Sequence, residues 1–221
     1  MTRSRPRPLA AAAALVVAFV GLAGCTGAAP DPNGAGRAGI PADCPTSQPP
    51  PLAAGQTRTV TIATSKGTIA IRVEGSLSPV AAGNVVALAS CGYYDGVVFH
   101  RVVPGFVIQG GDGQFGRAPN VVPTRVGSGG PGYTIADEPV TTTYGRGVVA
   151  MARTSKAHSQ GGQFFIVLSD EARSSLESAN TYAIFGHVIA GMDVADAIAA
   201  AADAEIPSNP IAMDRVTVST P

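Results

Sequence analysis

The sequence predicts a mainly β protein, a single antiparallel barrel of short strands capped by two helices. Three observations lead to this class. The 27 glycines and 18 prolines make up about a fifth of the 221 residues, which favours turn-rich β structure over long helices. Short apolar runs bounded by turn residues recur along the chain, whereas only two segments have helical spacing. Eleven of the twelve aromatic residues lie between Tyr93 and Phe185, which places the predicted core there.

Residues 1–24 form a predicted secretory signal peptide. Three arginines precede an apolar run from Leu9 to Val20, and small residues follow it. A transmembrane helix is the alternative, but the 14 residues from Leu9 to Leu22 are fewer than the roughly 20 that cross a bilayer. The ending Leu22-Ala-Gly-Cys25 resembles the bacterial lipobox. That resemblance implies cleavage before Cys25, lipids on this residue, and a protein anchored to the extracytoplasmic face of a bacterial cell membrane.

Residues 25–56 are predicted to be a linker that begins at the lipidated Cys25. The segment is rich in proline, glycine and alanine, contains the run Pro49-Pro50-Pro51, and has neither helical nor strand periodicity. Two further cysteines, Cys44 and Cys91, remain after lipidation. An even number in an oxidising compartment is compatible with a disulfide. Two free thiols are the alternative, and the sequence leaves both open.

Residues 57–221 are predicted to be one domain, which opens with a β-hairpin. Apolar and polar residues alternate on both sides of the turn at residues 65–67, which is typical of two strands with one buried face. A helix follows. Ser78 supplies its N-cap, Pro79 its first-turn proline, and Gly92 its end.

The rest of the domain is predicted as strands, with one more helix near the C-terminus. The predicted strands are the apolar runs Val97–Val103, Phe106–Ile108, Val148–Ala152, Phe164–Leu168, Ala183–Ile189 and Arg215–Val218. The helix extends from Met192 to about Ala202, in an alanine-rich segment. Many short strands and two helices in a domain of this size indicate a single antiparallel barrel.

Charge and motif spacing exclude several classes of function. Beyond the signal peptide, 12 basic residues face 15 acidic ones, so no basic surface for nucleic acid is expected. The three histidines and the cysteines lack metal-ligand spacing, so no metal site is predicted. The glycine-rich run Gly111–Gly116 lacks the helix that a dinucleotide fingerprint requires. No Gly-x-Ser-x-Gly motif of a hydrolase is present.

Polar side chains lie at the ends of apolar strands in two segments. In FHRVVPGFVIQGGD, Arg101 ends one strand, and Phe106 and Gln109 follow across a Pro-Gly turn. If the two strands pair, these three side chains converge on one face. The second segment is VAMARTSKAHSQGGQFFI. Taken alone, either segment is equally compatible with ordinary barrel strands.

Together with YAIFGHVIAGMDV, these segments resemble the cyclophilin family of peptidyl-prolyl cis-trans isomerases, in its bacterial form. The similarity extends from about Thr57 to Val218. It implies a closed eight-stranded antiparallel barrel capped by two helices, with no metal and no organic cofactor. It further implies a folding catalyst that accelerates rotation about X–Pro bonds, with proline-containing polypeptides as partners. We expect a monomer.

The resemblance assigns roles by position. Arg101 is implied to be the catalytic guanidinium, Gln109 an amide that helps to hold the substrate carbonyl, and Phe106 part of the catalytic set. The other residues implied to bind substrate are Val107, Phe165, Gln163, Ala152, Arg153, Gly127, Leu176, Tyr182 and His100. We expect His100 to support Arg101 rather than to transfer a proton.

The sequence departs from the family in three places. It contains no Trp, whereas eukaryotic cyclophilins bind cyclosporin with a Trp that has Ser175 or Leu176 as its nearest counterpart here. Weak cyclosporin binding is therefore expected. Tyr182 stands where eukaryotic members carry a His. The loop Gly113–Val126 is longer than usual, and it either tunes substrate entry or is a neutral surface insertion.

A second hypothesis comes from a different class of protein. The same fold could serve as a module that only binds proline-containing segments or an envelope partner, with incidental isomerisation. The presence of Arg101 favours the enzyme, because a binding module needs no donor directed at the prolyl nitrogen.

Overall fold

The computed structural model describes residues 37–220. The predicted signal peptide and the lipidated Cys25 lie outside the described residues. Between residues 37 and 220 the chain forms nine strands, three α-helices and a 3₁₀ turn. In order they are β1 Thr57–Thr64, β2 Gly67–Glu74, α1 Pro79–Ser90, β3 Val97–Val103, β4 Val107–Gly110, β5 Val148–Met151, β6 Phe164–Val167, the 3₁₀ turn Asp170–Ala172, α2 Arg173–Ala179, β7 Ile184–Ala190, α3 Met192–Ala201, β8 Ala212–Met213 and β9 Arg215–Ser219.

The strands form one sheet in the order β8-β3-β4-β6-β5-β7-β2-β1-β9, and every neighbouring pair is antiparallel. The two end strands are separated in the chain only by Asp214, whose N–H donates to the carbonyl of Ala63 at 2.8 Å. The sheet therefore curls into a nearly closed barrel, which confirms the predicted fold. Within the described residues it has nine strands rather than eight. The two-residue β8 is too short to give a periodic signal.

Two predicted helices are confirmed as α1 and α3, and α2 is an additional one. The 3₁₀ turn before α2 begins at Ser169, whose hydroxyl accepts from the Glu171 N–H, and α2 ends at Asn180 with a left-handed φ of 42°. Only Ala172 and Leu176 are buried across these two elements. Two buried positions do not form an apolar stripe, and the sequence therefore does not predict this helix.

The start of α1 differs from its predicted cap. Ser78 occupies the N-cap position, but its buried hydroxyl forms no hydrogen bond within the described residues. Instead, the carboxylate of Glu138 accepts the N–H groups of Val80 and Ala81, both at 2.8 Å. A carboxylate is a stronger acceptor for the first N–H groups of a helix than a hydroxyl is. The prediction that Ser78 caps α1 was therefore wrong, because Glu138 from a distant loop takes that role.

Strands β5 and β6 are buried on both faces, and two apolar clusters meet there. On β6, Phe164 and Ile166 belong to the cluster inside the barrel, whereas Phe165 and Val167 belong to a second cluster outside it. Alternation of side chains along a strand explains the division. The second cluster includes Leu176 from α2, so this short helix covers the outer face beside the candidate site.

Residues 37–56 pack against the barrel, although the sequence predicted a linker as far as residue 56. Cys44 is buried and forms a disulfide with Cys91 at the end of α1. The Leu52 N–H donates to the carbonyl of Pro79 at 2.9 Å. Gly83 of α1 allows this approach, since a Cβ there would lie 2.3 Å from the Pro50 carbonyl. Such contacts are made by backbone and a cross-link, so they leave no periodicity in the sequence.

Candidate active site

A row of opposed residues crosses four strands at the candidate site. The register places Arg101 opposite Gln109, Gln109 opposite Phe165, and Phe165 opposite Ala150. Directly opposed residues in antiparallel strands share one face. The row therefore brings a cation, an amide and an aromatic ring together from separate parts of the chain, as the sequence predicted for Arg101 and Gln109.

A pocket of about 330 Å³ adjoins this row, and we call it the ring pocket. It brings together nine predicted residues and Ser175, namely Arg101, Phe106, Val107, Gln109, Ala152, Arg153, Phe165, Leu176, Tyr182 and Ser175. The rings of Phe165 and Tyr182 meet edge to face with their centroids 5.4 Å apart. Six apolar or aromatic residues and four polar ones line the pocket, and such a mixture suits a compact apolar ring attached to a polar group.

Arg101 is held by an ion pair that the sequence did not reveal. Its Nε donates to Oε1 of Glu205 at 2.7 Å, and within residues 37–220 its two Nη groups have no protein acceptor. The Glu205 carbonyl accepts the N–H of Val102 at 2.8 Å, which fixes this segment beside β3. Glu205 lies 104 residues from Arg101, and nothing in the sequence signals the pairing.

Gln163 connects Gln109 to a glycine-rich loop. The Gln109 amide donates to Oε1 of Gln163 at 3.0 Å. The Gln163 amide in turn donates to the carbonyls of Gly127 and Gly129 at 2.9 and 2.8 Å. One N–H of the Gln109 amide is thus engaged, and a chain of hydrogen bonds restrains the rotation of this amide.

Asp112 is a buried carboxylate that organises the same loop. It is 0% exposed. One oxygen accepts the N–H groups of Gln114 and Phe115, and the other accepts those of Gly127 and Gly129, all between 2.8 and 3.1 Å. Four donors satisfy a charge that would otherwise be costly to bury. The sequence contained a signal, since an Asp among glycines marks a tight loop, but it predicted no role for Asp112.

His100 lies on the opposite side of β3 from the ring pocket. It is 3% exposed, and neither ring nitrogen has a well-aligned hydrogen-bond partner within the described residues. Burial lowers the pKa of His100 below its usual value, and the Asp112 carboxylate opposes this shift. Gly127 packs against the ring, since a Cβ there would lie 3.4 Å from the imidazole. His100 does not line the ring pocket, and it lies where the register between β3 and β4 shifts.

Arg153 lines the ring pocket, but its guanidinium is engaged by the protein. It pairs with Asp137 at 3.1 Å and donates to the carbonyls of Thr154 and Lys156 at 3.1 and 2.7 Å. Its side chain is only 10% exposed. The N–H of Ala152 is likewise used, by the Gln163 carbonyl at 2.9 Å. Both residues therefore shape the site mainly as parts of its wall.

A second pocket of about 730 Å³ shares Gln109, Ala152 and Arg153 with the ring pocket. Two predicted residues that do not line the ring pocket, Gly127 and Gln163, line this one. The rest of its lining comes mostly from small or polar residues at Gln114, Ser128–Gly130, Gly132–Thr134, Thr154, Ser159 and Gly161–Gly162. The two pockets are therefore neighbours that meet at these three shared residues.

Most of the long loop Gly113–Val126 lies away from these two pockets. Only Gln114 of the loop lines the second pocket. Five of its residues, Ala118, Pro119, Val121, Pro123 and Val126, line a separate cavity of about 660 Å³ together with His100 and the segment Ile206–Pro210. None of the loop residues lines the ring pocket, so the loop does not contact a substrate bound there.

Two kinds of feature are missing from residues 37–220. Within them, no three His, Cys, Asp or Glu side chains are grouped as a metal site would require. No helix in the same part of the chain has the length and apolar character needed to cross a membrane.

Comparison with known proteins gives a consistent result. Residues 59–218 match the family model described as cyclophilin type peptidyl-prolyl cis-trans isomerase/CLD. Peptidyl-prolyl cis-trans isomerase A of Dickeya dadantii is 36% identical over 150 residues, which cover 67% of this chain and 75% of that protein. Probable peptidyl-prolyl cis-trans isomerase A of Mycobacterium bovis is 34% identical over 199 residues, which cover 80% of this chain and 100% of that protein.

The fold is similar to that of a solved enzyme. A crystal structure of a cyclophilin type peptidyl-prolyl cis-trans isomerase of Cryptosporidium parvum, in the presence of the dipeptide Ala-Pro, superimposes with a TM-score of 0.60 and 30% sequence identity. The match covers 74% of this chain and 99% of that chain.

Proposed function

This chain belongs to the cyclophilin type peptidyl-prolyl cis-trans isomerase family and is an isomerase of X–Pro bonds, and we propose that it serves as a folding catalyst at the outer face of a bacterial cell membrane. Its substrates are proline-containing polypeptides. The lipobox-like sequence that ends at Cys25 and the preceding apolar segment support this location.

The reaction requires no nucleophile and no proton transfer. Nitrogen lone-pair delocalisation holds an amide planar with a barrier of about 18–20 kcal/mol, so X–Pro rotation takes tens of seconds or more without a catalyst. As the bond twists, the prolyl nitrogen regains its lone pair and becomes a hydrogen-bond acceptor. A donor that meets this nitrogen only in the twisted state lowers the barrier by differential binding.

We assign the donor role to Arg101. Its Nε is occupied by Glu205, so the Nη groups are the ones available to the prolyl nitrogen. Phe106, Phe165 and the neighbouring apolar side chains hold the proline ring, and Gln109 holds the carbonyl of the residue before or after it. The single observation that carries this assignment is the pairing of Arg101 with Gln109 at the edge of a ring-sized pocket.

The test is a protease-coupled isomerisation assay with a short X-Pro tetrapeptide. Arg101→Ala is expected to lower kcat/KM at least tenfold, about 1.4 kcal/mol of transition-state stabilisation. Arg58→Ala is the matched control, because within residues 37–220 the Arg58 guanidinium donates to the adjacent Thr57 carbonyl and to no other group. Activity that is equal in the wild type and Arg101→Ala would contradict the assigned role. Tight peptide binding without acceleration would favour the binding module.

The proposed location has a separate test. In a bacterial host, Cys25→Ser is expected to release the domain from the membrane fraction and to abolish incorporation of labelled fatty acid. Thr26→Ser serves as the control, since it changes the neighbouring residue and leaves all three cysteines in place. Membrane association that survives Cys25→Ser would contradict lipid anchoring at this residue.

A further inference from the structure

We propose that the segment before the barrel, residues 37–52, determines substrate specificity, because Arg37 positions one wall of the second pocket. We call this segment the strap and residues 130–136 the wall loop. The inference rests on the proposed function, since it assumes that one polypeptide occupies both pockets. Arg37 thus positions the wall of the second pocket, whereas the X–Pro bond that rotates lies in the neighbouring ring pocket.

One guanidinium joins the strap to the wall loop. Nη1 of Arg37 donates to the Pro131 carbonyl at 2.7 Å and to the Pro45 carbonyl at 2.8 Å. Its Nη2 donates to the Cys44 carbonyl at 3.1 Å. The side-chain stem also packs on the loop, since a Cβ at Gly132 would lie 2.9 Å from Cγ of Arg37. A charged donor shared among three carbonyls fixes both segments relative to each other.

A second contact holds the other end of the wall loop. Oε1 of Gln48, in the strap, accepts the N–H of Ala136 at 2.9 Å. Glu138, two residues further along, caps α1 through the N–H groups of Val80 and Ala81. The wall loop is therefore bounded by the strap at both ends and by α1 beyond it.

The strap is itself anchored to the domain. Cys44 is joined to Cys91 by the disulfide, and the Leu52 N–H donates to the carbonyl of Pro79. Arg37 bonds to the carbonyl of Cys44, so the guanidinium lies beside the cross-link. The strap therefore acts as a fixed support.

The wall loop needs such support because of its composition. Gly130, Gly132, Tyr133 and Thr134 line the second pocket, and Gly132 has a φ of +89°. Glycines restrict the backbone little. Within the described residues, Tyr133 is the wall-loop residue with a side-chain hydrogen bond, from its hydroxyl to Asn84 at 2.8 Å. The Ile135 N–H also donates to the Gln160 carbonyl at 2.9 Å, so the strap contacts mainly determine the shape of the glycine-rich half of the pocket wall.

The consequence concerns the residues that flank the proline. A substrate that fills only the ring pocket does not touch the wall loop, whereas a longer one extends along it through the shared residues Gln109 and Ala152. Loss of the strap contacts is therefore expected to weaken binding of long substrates while the bond rotation itself is unchanged.

The experiment compares Arg37→Ala with the control Arg58→Ala on two substrates. One is a blocked tetrapeptide with a single proline, and the other extends four residues on each side of the proline and is followed by NMR exchange spectroscopy. We expect Arg37→Ala to raise KM for the long peptide about fivefold, with kcat and the tetrapeptide kinetics within twofold of wild type. We expect Arg37→Lys, which keeps a charged donor, to recover part of the loss.

The outcomes separate this inference from the proposed function. Unchanged KM for the long peptide, or an equal loss on both substrates, would overturn the role of the strap while leaving the isomerase intact. An Arg101→Ala variant with the same kcat/KM as the wild type would instead overturn the proposed mechanism. If Arg37→Ala fails to fold, mild reduction of the Cys44–Cys91 bond in the wild type is the second test, with the same long-peptide shift expected.

Discussion

The Arg101 guanidinium has one nitrogen bonded to Glu205 and two that are free of protein acceptors within the described residues. Its Nε is bonded to Glu205 at 2.7 Å, while the Nη groups face no acceptor within the described residues. The pair is solvent-accessible, with side chains 34% and 59% exposed. An ion pair of this kind is worth at most about 1 kcal/mol. Its contribution is thus orientation rather than stability.

The prediction for Glu205→Gln follows from this orientation. Loss of the charge is expected to lower kcat about two- to fivefold, because an exposed pair carries at most about 1 kcal/mol, with little change in KM. Added salt should reduce wild-type kcat towards that of the variant, since salt screens exposed pairs. Steady-state kinetics at low and high ionic strength measure both effects. Identical kcat values at low salt would remove Glu205 from the mechanism.

Because His100 is buried, we expect the free energy of unfolding, rather than the turnover rate, to depend on its protonation. Burial lowers its pKa in the folded state, so the unfolded chain binds the proton more readily near its usual value of about 6.5. The free energy of unfolding should therefore fall as the pH drops below about 6.5, until the folded-state pKa is reached.

The variant His100→Gln should remove this part of the acid sensitivity. Denaturant unfolding between pH 7 and pH 5 is expected to show a smaller pH slope than the wild type does. His158→Gln is the control, since the His158 side chain is 66% exposed and is solvated in both states. Equal slopes for His100→Gln and wild type would show that other groups cause the acid loss.

Among the helices and strands, the cap of α1 shows how a loop far away in sequence completes a local structure. Glu138 accepts the first two free N–H groups of α1. Glu138→Ala is expected to lower the free energy of unfolding by about 1 kcal/mol, the usual value of a helix cap. Glu171→Ala is a suitable control, because the Glu171 carboxylate caps no helix. Denaturant titration measures both, and equal effects would contradict the capping role.

The strands and two of the helices could be predicted because their signals are local. The hairpin β1–β2 and β3 follow from alternation and turn residues, and α1 and α3 from helical spacing, with boundaries within one or two residues. The ring pocket followed from the resemblance of the segments around Arg101 and Gln109. What could not be predicted depends on distant contacts. The contacts of Glu205 with Arg101, of Glu138 with α1 and of Arg37 with Pro131 join residues 57 to 104 positions apart, and no local pattern encodes such pairings.

At the scale of the whole molecule, the disulfide attaches the strap covalently to the end of α1. Cys44 and Cys91 are 47 residues apart. In the chain-entropy account, a cross-link over a loop of this length stabilises the folded state by roughly 4 kcal/mol. The double variant Cys44→Ser/Cys91→Ser should lower the free energy of unfolding by about that amount. A reducing agent should then lower the Tm of the wild type but not of the double variant, and insensitivity of both would contradict the cross-link.

The closure of the sheet has a consequence for the chains that this isomerase handles. The strands at the two ends of the sheet, β8 and β9, are joined through Asp214, which also bonds to Ala63 of β1. Open sheet edges recruit extended polypeptides by adding a further strand. With its edges brought together, the barrel offers little backbone for such recruitment, and it meets an unfolded chain through side-chain pockets instead. Such an enzyme can bind and release a proline-containing segment without pairing a strand of its own with it.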